Sequence, residues 1–188
     1  MKQLLTWPNI LTGFRLLLVP VLIVCFSLEQ SVSIALLTWL LFSIAAITDW
    51  FDGYLARKYD SETVLGKLMD PLADKLLVTT ALVMLIPLGR LPAWVSLLII
   101  SRELIITGLR GLAASTGKVV PADNLGKIKA NFQYFGLGLM IFPLGVVPIP
   151  YQYELALILV YISLVLSLWS AFDYFYKLKD VFIETSST

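Results

Sequence analysis

Four aspartates offer the clearest chemistry in this sequence. Asp49 and Asp52 stand three residues apart, Asp70 and Asp74 four apart, and only a short polar segment separates their two helical runs. On helices, both spacings place the two carboxylates of a pair on one face. Runs joined so closely are antiparallel neighbours, so the four carboxylates can converge. A single Asp of this kind is ordinarily a helix cap or a solvated loop end, but two face-matched pairs across one link form a constellation. Clustered anions repel, and insertion scales charge about 2.5–3.5 kcal/mol for an Asp at the centre of a membrane helix. A divalent cation or a cationic partner must compensate.

The rest of the sequence narrows that cation. There is no histidine, and the one cysteine, Cys25, lies in a distant apolar block. Oxygen ligands suit Mg²⁺ or Mn²⁺, so Asp49, Asp52, Asp70 and Asp74 are the expected metal ligands. Such ions typically serve phosphate or diphosphate chemistry, where they bridge substrate oxygens and neutralise charge. Acid–base work falls to carboxylates, Lys, Tyr or water. Gly53 and Ala56 follow Asp49 by four and seven residues and leave room for a flat ligand near the carboxylate face, although small residues are also ordinary at membrane helix contacts. Arg57, Lys67 and Lys75 add positive charge for phosphates, while Gly66 and Pro71 shape the start of the following helix.

A second polar group lies in Ser101-Arg102-Glu103-Leu104-Ile105-Ile106-Thr107-Gly108-Leu109-Arg110. Glu103, Thr107 and Arg110 share a helical face, with Arg102 beside them. Charges deep in an apolar span usually face the bundle interior or a water-filled cavity. Lys127 and Lys129, in Gly126-Lys127-Ile128-Lys129, open the next apolar run. Arg102, Arg110, Lys127 and Lys129 could together clamp the phosphate of an acceptor. The plainer alternatives are an internal ion pair of Arg102 with Glu103 or an Asp, and contacts of Lys127 and Lys129 with lipid headgroups.

The elements that position these residues follow from composition. Of 188 residues, 59% are hydrophobic, against about 45–50% in soluble domains, and they gather into long blocks. The blocks predict an all-α integral membrane protein with six transmembrane helices over 10–28, 33–57, 71–89, 92–114, 126–146 and 152–177. Each approaches the ~20 residues a helix needs to cross the hydrocarbon core, whereas a barrel strand needs about 9–11. Leu28-Glu29-Gln30-Ser31, Gly89-Arg90-Leu91-Pro92 and Pro148-Ile149-Pro150 carry turn chemistry, and Ser61 or Thr63 could cap the third helix. Eleven of the fourteen Lys and Arg fall on one set of loops and ends, Arg15 and Arg102 lie within spans, and Arg90 is on the other side. The positive-inside rule then puts both termini in the cytoplasm, with the 57–70 and 115–128 loops and the aspartates. The N-terminal apolar run is expected to be a retained helix rather than a cleaved leader, because Arg15 interrupts it. A net charge of +1 gives no reason to expect nucleic acid as a partner, and one thiol cannot form an internal disulfide.

The run Asp49-x₂-Asp52-Gly53-x₂-Ala56-Arg57-x₈-Gly66-x₃-Asp70-x₃-Asp74 is identified as the signature of the CDP-alcohol phosphotransferases, matched at every defined position. The six-span layout resembles that family too, so 1–188 is expected to be a single domain of this kind. The resemblance implies a CDP-linked lipid donor, loss of CMP, a metal site for a pair of ions and a homodimer in the lipid bilayer of the cytoplasmic membrane. By that resemblance Asp49, Asp52 and Asp70 bind metal, and Asp74 completes the site and acts as general base. Gly53, Ala56 and Arg57 would line the CDP pocket, with Gly66 and the first three aspartates beside them. The segments Asp70-Pro71-Leu72-Ala73-Asp74-Lys75, Ser-Arg-Glu and Gly-Lys-Ile-Lys are most similar to bacterial members that join CDP-diacylglycerol to sn-glycerol 3-phosphate. Pro8-Asn9-Ile10-Leu11-Thr12-x-x-Arg15 is also family-like: either an interfacial element over the site or a plain helix start. Two other classes fit the residues less well. A membrane prenyltransferase also binds Mg-diphosphate on Asp pairs, but gives Gly53, Ala56 and Arg57 no role. A transporter would carry polar residues through the bilayer rather than at one side.

Overall fold

The computed structural model describes the backbone of residues 7–59, 64–115 and 124–185, with side chains over 10–48, 69, 72–114 and 125–176. Those residues form six α-helices: α1 (Trp7–Ser27), α2 (Val32–Tyr59), α3 (Val64–Met84), α4 (Ala93–Ser115), α5 (Asn124–Ile141) and α6 (Gln152–Thr185). One helix stands for each predicted span, and the differences lie at the ends.

The α1–α2 turn is built as its residues suggest. Gln30 donates its side-chain amide to the carbonyls of Cys25, Phe26 and Leu28 at 3.0, 3.2 and 2.9 Å. Ser31 Oγ accepts the Ile34 N–H at 3.3 Å, as an N-cap does. The caps expected at Ser61 and Thr63 lie outside the described residues. Between α3 and α4, Gly89 takes φ +66°, a left-handed conformation that glycine adopts without steric penalty. Next to it, Arg90 Nη1 donates to the carbonyls of Met140 at 2.6 Å and Ile141 at 3.2 Å, so a cation covers the C-terminal carbonyls of α5. Burial lowers the pKa of that guanidinium.

α3 begins at Val64, before the predicted 71, so Gly66 and Pro71 lie within it. Hydropathy missed those first turns because Gly66, Lys67 and Asp70 interrupt the apolar run, whereas helical hydrogen bonding has no such requirement. α5 stops at Ile141, short of the predicted 146, where Pro143 biases the residue before it away from helical conformation; Gln152 donates to the carbonyls of Leu139 and Phe142 at 3.1 Å. α6 continues past the predicted 177 to Thr185, so Lys177 and Lys179 belong to its last turns rather than to a tail.

α3 is the hub and touches α1, α2, α4 and α5, while α5 and α6 form the closest pair and α4 rests on α6. Leu22, Phe42, Leu77, Leu85, Ile99, Leu137 and Val160 fill the common core. Gly136 sets the α5–α6 approach: a Cβ there would lie 2.8 Å from Val160 Cγ2 and 3.2 Å from the Ala156 carbonyl oxygen. The outer surface inverts the usual pattern. Phe135, Trp169 and Phe172 are 74%, 69% and 76% exposed, while Thr12, Arg15, Arg102, Lys129 and Gln133 are buried. Among the described residues, Ile10–Ser27 of α1 and Gln152–Tyr176 of α6 are long and apolar enough to cross a membrane.

Candidate active site

Asp74 stands on the third turn of α3 and faces α5, where the Tyr134 hydroxyl donates to its Oδ1. The bond crosses sixty positions of sequence and fixes the carboxylate from the opposite wall. One turn nearer the start of α5, Lys129 bonds Glu103 of α4. Glu103 Oε1 also accepts from Arg102 Nη1 at 2.9 Å, and Arg102 Nε reaches the Ser167 carbonyl of α6 at 2.8 Å. One carboxylate thus lies between two buried cations, ties α4 to α5 and, through Arg102, holds α6. Such an arrangement compensates charges that would be expensive unpaired away from water. Lys75 donates to the Thr107 hydroxyl, so α3 and α4 are pinned close to Asp74.

These side chains enclose a small cavity of ≈ 60 Å³, whose polar walls include Asp74, Lys75, Glu103, Lys129, Gln133 and Tyr134. On the other side of Tyr134 lies a much larger space of ≈ 870 Å³ between α2 and α5. Trp39, Phe42, Ile47, Phe135 and Phe142 make that groove apolar, and Lys127 is among its lining residues. Tyr134 and Ala130 line both spaces. A small chamber with charged groups among its apolar walls and an apolar groove therefore share Tyr134 and Ala130, and the Tyr134 hydroxyl bonds Asp74 across the chamber.

Of the residues singled out in the sequence, Asp74 and Lys129 line the small cavity. Arg102 joins them through Glu103, in the internal ion pair that was its plainer reading. Lys127 faces the groove instead, and Arg110 lies over the Tyr174 ring of α6 at 5.5 Å. The shared face of Glu103, Thr107 and Arg110 is real, yet each residue finds a different partner. Tyr174 is 7% exposed beneath Arg110, whereas Phe175 and Tyr176 are exposed. For Asp49, Asp52, Gly53, Ala56, Arg57, Gly66 and Asp70 the backbone is helical, and their side chains lie outside the described residues. The observed helices put Asp49 and Asp52 on α2 and Asp70 and Asp74 on α3, which touches α2. With helical registers of three and four, this all-carboxylate donor set fits a hard divalent metal.

Tyr134 and Gln133 are the site residues that motif reading missed. Gln133 had a signal, since it is a polar residue four positions after Lys129 in an apolar helix. Tyr134 had none, because an aromatic there reads as core.

A model of the CDP-alcohol phosphatidyltransferase family matches residues 5–169, and the chain belongs to that family. Its relatives include the CDP-diacylglycerol–glycerol-3-phosphate 3-phosphatidyltransferase of Bacillus subtilis, 40% identical over 90% of this chain and 93% of the relative. The proteins of that name from Rickettsia prowazekii and Haemophilus influenzae are 38% and 35% identical; they cover 93% and 94% of this chain and 96% and 95% of their own lengths. Membership sets aside the prenyltransferase and the transporter.

Proposed function

We propose that this protein transfers the phosphatidyl group of CDP-diacylglycerol to sn-glycerol 3-phosphate, giving phosphatidylglycerol phosphate and CMP. The observation that carries this reading is the wall that the two spaces share at Tyr134, whose hydroxyl bonds Asp74. A lipid donor and a small polar acceptor need unlike compartments that meet at the reacting atoms, and Tyr134 divides two such spaces. The apolar groove suits acyl chains, with Lys127 available to the anionic end of the donor. The small chamber suits the acceptor, with Lys75 and Lys129 on its wall supplying positive charge and Arg102 behind them on Glu103.

Asp74 accepts the proton of the acceptor hydroxyl. The freed oxygen bonds to the lipid-bearing phosphorus, and the bond from that phosphorus to the CMP oxygen breaks. Tyr134 holds Asp74 facing the acceptor side, because its hydroxyl donates to one carboxylate oxygen. Asp49, Asp52, Asp70 and Asp74 would hold Mg²⁺ or Mn²⁺, which when bound neutralises the diphosphate charge. Without histidine, carboxylate chemistry is the economical route for the base.

The inverted surface and the asymmetry of Lys and Arg support six membrane-crossing helices in the cytoplasmic membrane, with both termini and the site on the cytoplasmic side. The test is CMP release by purified protein in detergent, with CDP-diacylglycerol, Mg²⁺ or Mn²⁺ and a panel of acceptors. Release with glycerol 3-phosphate, abolished by a chelator and restored by either ion, is the expected result. Release with inositol phosphate or serine alone would discard the acceptor assignment and leave the family chemistry in place.

A further inference from the structure

Asp74 in the small cavity receives Tyr134, and Glu103 is bonded by Arg102 and Lys129. Gln133 differs from them. It is 4% exposed and lines the same cavity, yet its amide nitrogen is buried with no hydrogen-bond partner among the described residues. Buried carboxamides are normally satisfied, so one left open beside a cavity calls for an explanation. The cavity, at ≈ 60 Å³, has room for about four waters or a short polyol segment. It is too small for a lipid.

Position gives the open group a meaning. Gln133 follows Lys129 by four residues and so shares its face of α5, and it precedes Tyr134, which holds Asp74. An acceptor in this chamber would present its attacking hydroxyl to Asp74 and its phosphate toward the cationic end at Lys129. The carbon between them carries the second hydroxyl of glycerol 3-phosphate, and among the described residues lining this cavity Gln133 is the one with a buried polar group still lacking a partner. A hydroxyl both donates and accepts, so it can satisfy either end of a carboxamide.

We propose that Gln133 is a specificity-determining residue which recognises the middle hydroxyl of the acceptor, so that the cavity selects a phosphate ester with two adjacent hydroxyls over one with a single terminal hydroxyl. This rests on glycerol 3-phosphate being the acceptor. A site built to bond a substrate hydroxyl rejects an analogue lacking it far more strongly than a merely complementary surface does, because the buried partner is left unpaired.

The experiment compares glycerol 3-phosphate with 3-hydroxypropyl phosphate, which lacks only the middle hydroxyl. The full chain is assayed with CDP-diacylglycerol and Mg²⁺, as wild type, as Gln133→Leu and as the more nearly isosteric Gln133→Met. Wild type is expected to prefer glycerol 3-phosphate in kcat/KM by on the order of 10²–10⁴. Both variants are expected to lose at least tenfold of that preference through a raised KM for glycerol 3-phosphate, with the KM for CDP-diacylglycerol within about twofold of wild type. A purely structural role, or one filled only by water, would lower activity with both acceptors alike and keep their ratio. An unchanged ratio in a folded variant, or a wild type that does not discriminate, overturns the role of Gln133 alone. CMP release with neither acceptor overturns both this role and the acceptor assignment.

Discussion

Replacing Asp74 by Asn keeps the size of the side chain and an oxygen able to accept from Tyr134, but it removes the basicity. Asp74→Asn is therefore expected to lower CMP release by about 10²–10⁴, with an unchanged thermal unfolding profile in detergent; near-normal turnover would remove Asp74 from its role. Glu103 makes a different prediction. The Arg102 and Lys129 side chains are 9% and 8% exposed, and Glu103 is 26% exposed. Glu103→Gln leaves two buried cations facing a neutral amide. Because Glu103 is partly solvated, the loss should be about 2 kcal/mol, below the 3–5 kcal/mol of a fully buried pair. A change under about 0.5 kcal/mol in detergent unfolding would mean that Glu103 is not their counter-charge. The sequence shows which residues share a helical face but not which partner each one finds. Glu103, Thr107 and Arg110 share a face, yet Lys75, thirty-two positions from its partner Thr107, and Tyr174, sixty-four from Arg110, were beyond any local pattern.

The α5–α6 pair depends on an absent side chain. A methyl at Gly136 would meet Val160 Cγ2, the Val160 amide nitrogen and the Ala156 carbonyl oxygen at 2.8, 3.1 and 3.2 Å. Gly136→Ala is expected to destabilise the protein by about 1–3 kcal/mol. Adding Val160→Ala should recover only part of that, since two of the three obstructing atoms are backbone. Full recovery by the double variant would place the whole clash at the Val160 methyl. The helices themselves were legible from apolar block length, because a span has to be long. Their ends were less so: α3 starts among polar residues and α6 continues through Lys177 and Lys179, where hydrogen bonding rather than hydropathy decides the boundary.

For the molecule as a whole, sidedness is the property to test. Cys25 is the one native thiol and is buried, so a Cys25→Ser background accepts single reporter cysteines. A cysteine at Lys118 should react with a membrane-impermeant maleimide only after cells are opened, and one at Val146 should react in intact cells. The reverse pattern would invert the proposed orientation. Within the bundle, the two sides of the groove are made differently. α5 meets α6 backbone to side chain at Gly136 with no clearance, whereas α2 meets α5 and the residue just past its end through ring pairs: Phe42 tilted on Tyr134 at 6.1 Å and Trp39 edge-on to Phe142 at 5.1 Å. Mechanically the two sides differ in slack: the α5–α6 side has none at Gly136, whereas the α2 side closes on two ring contacts.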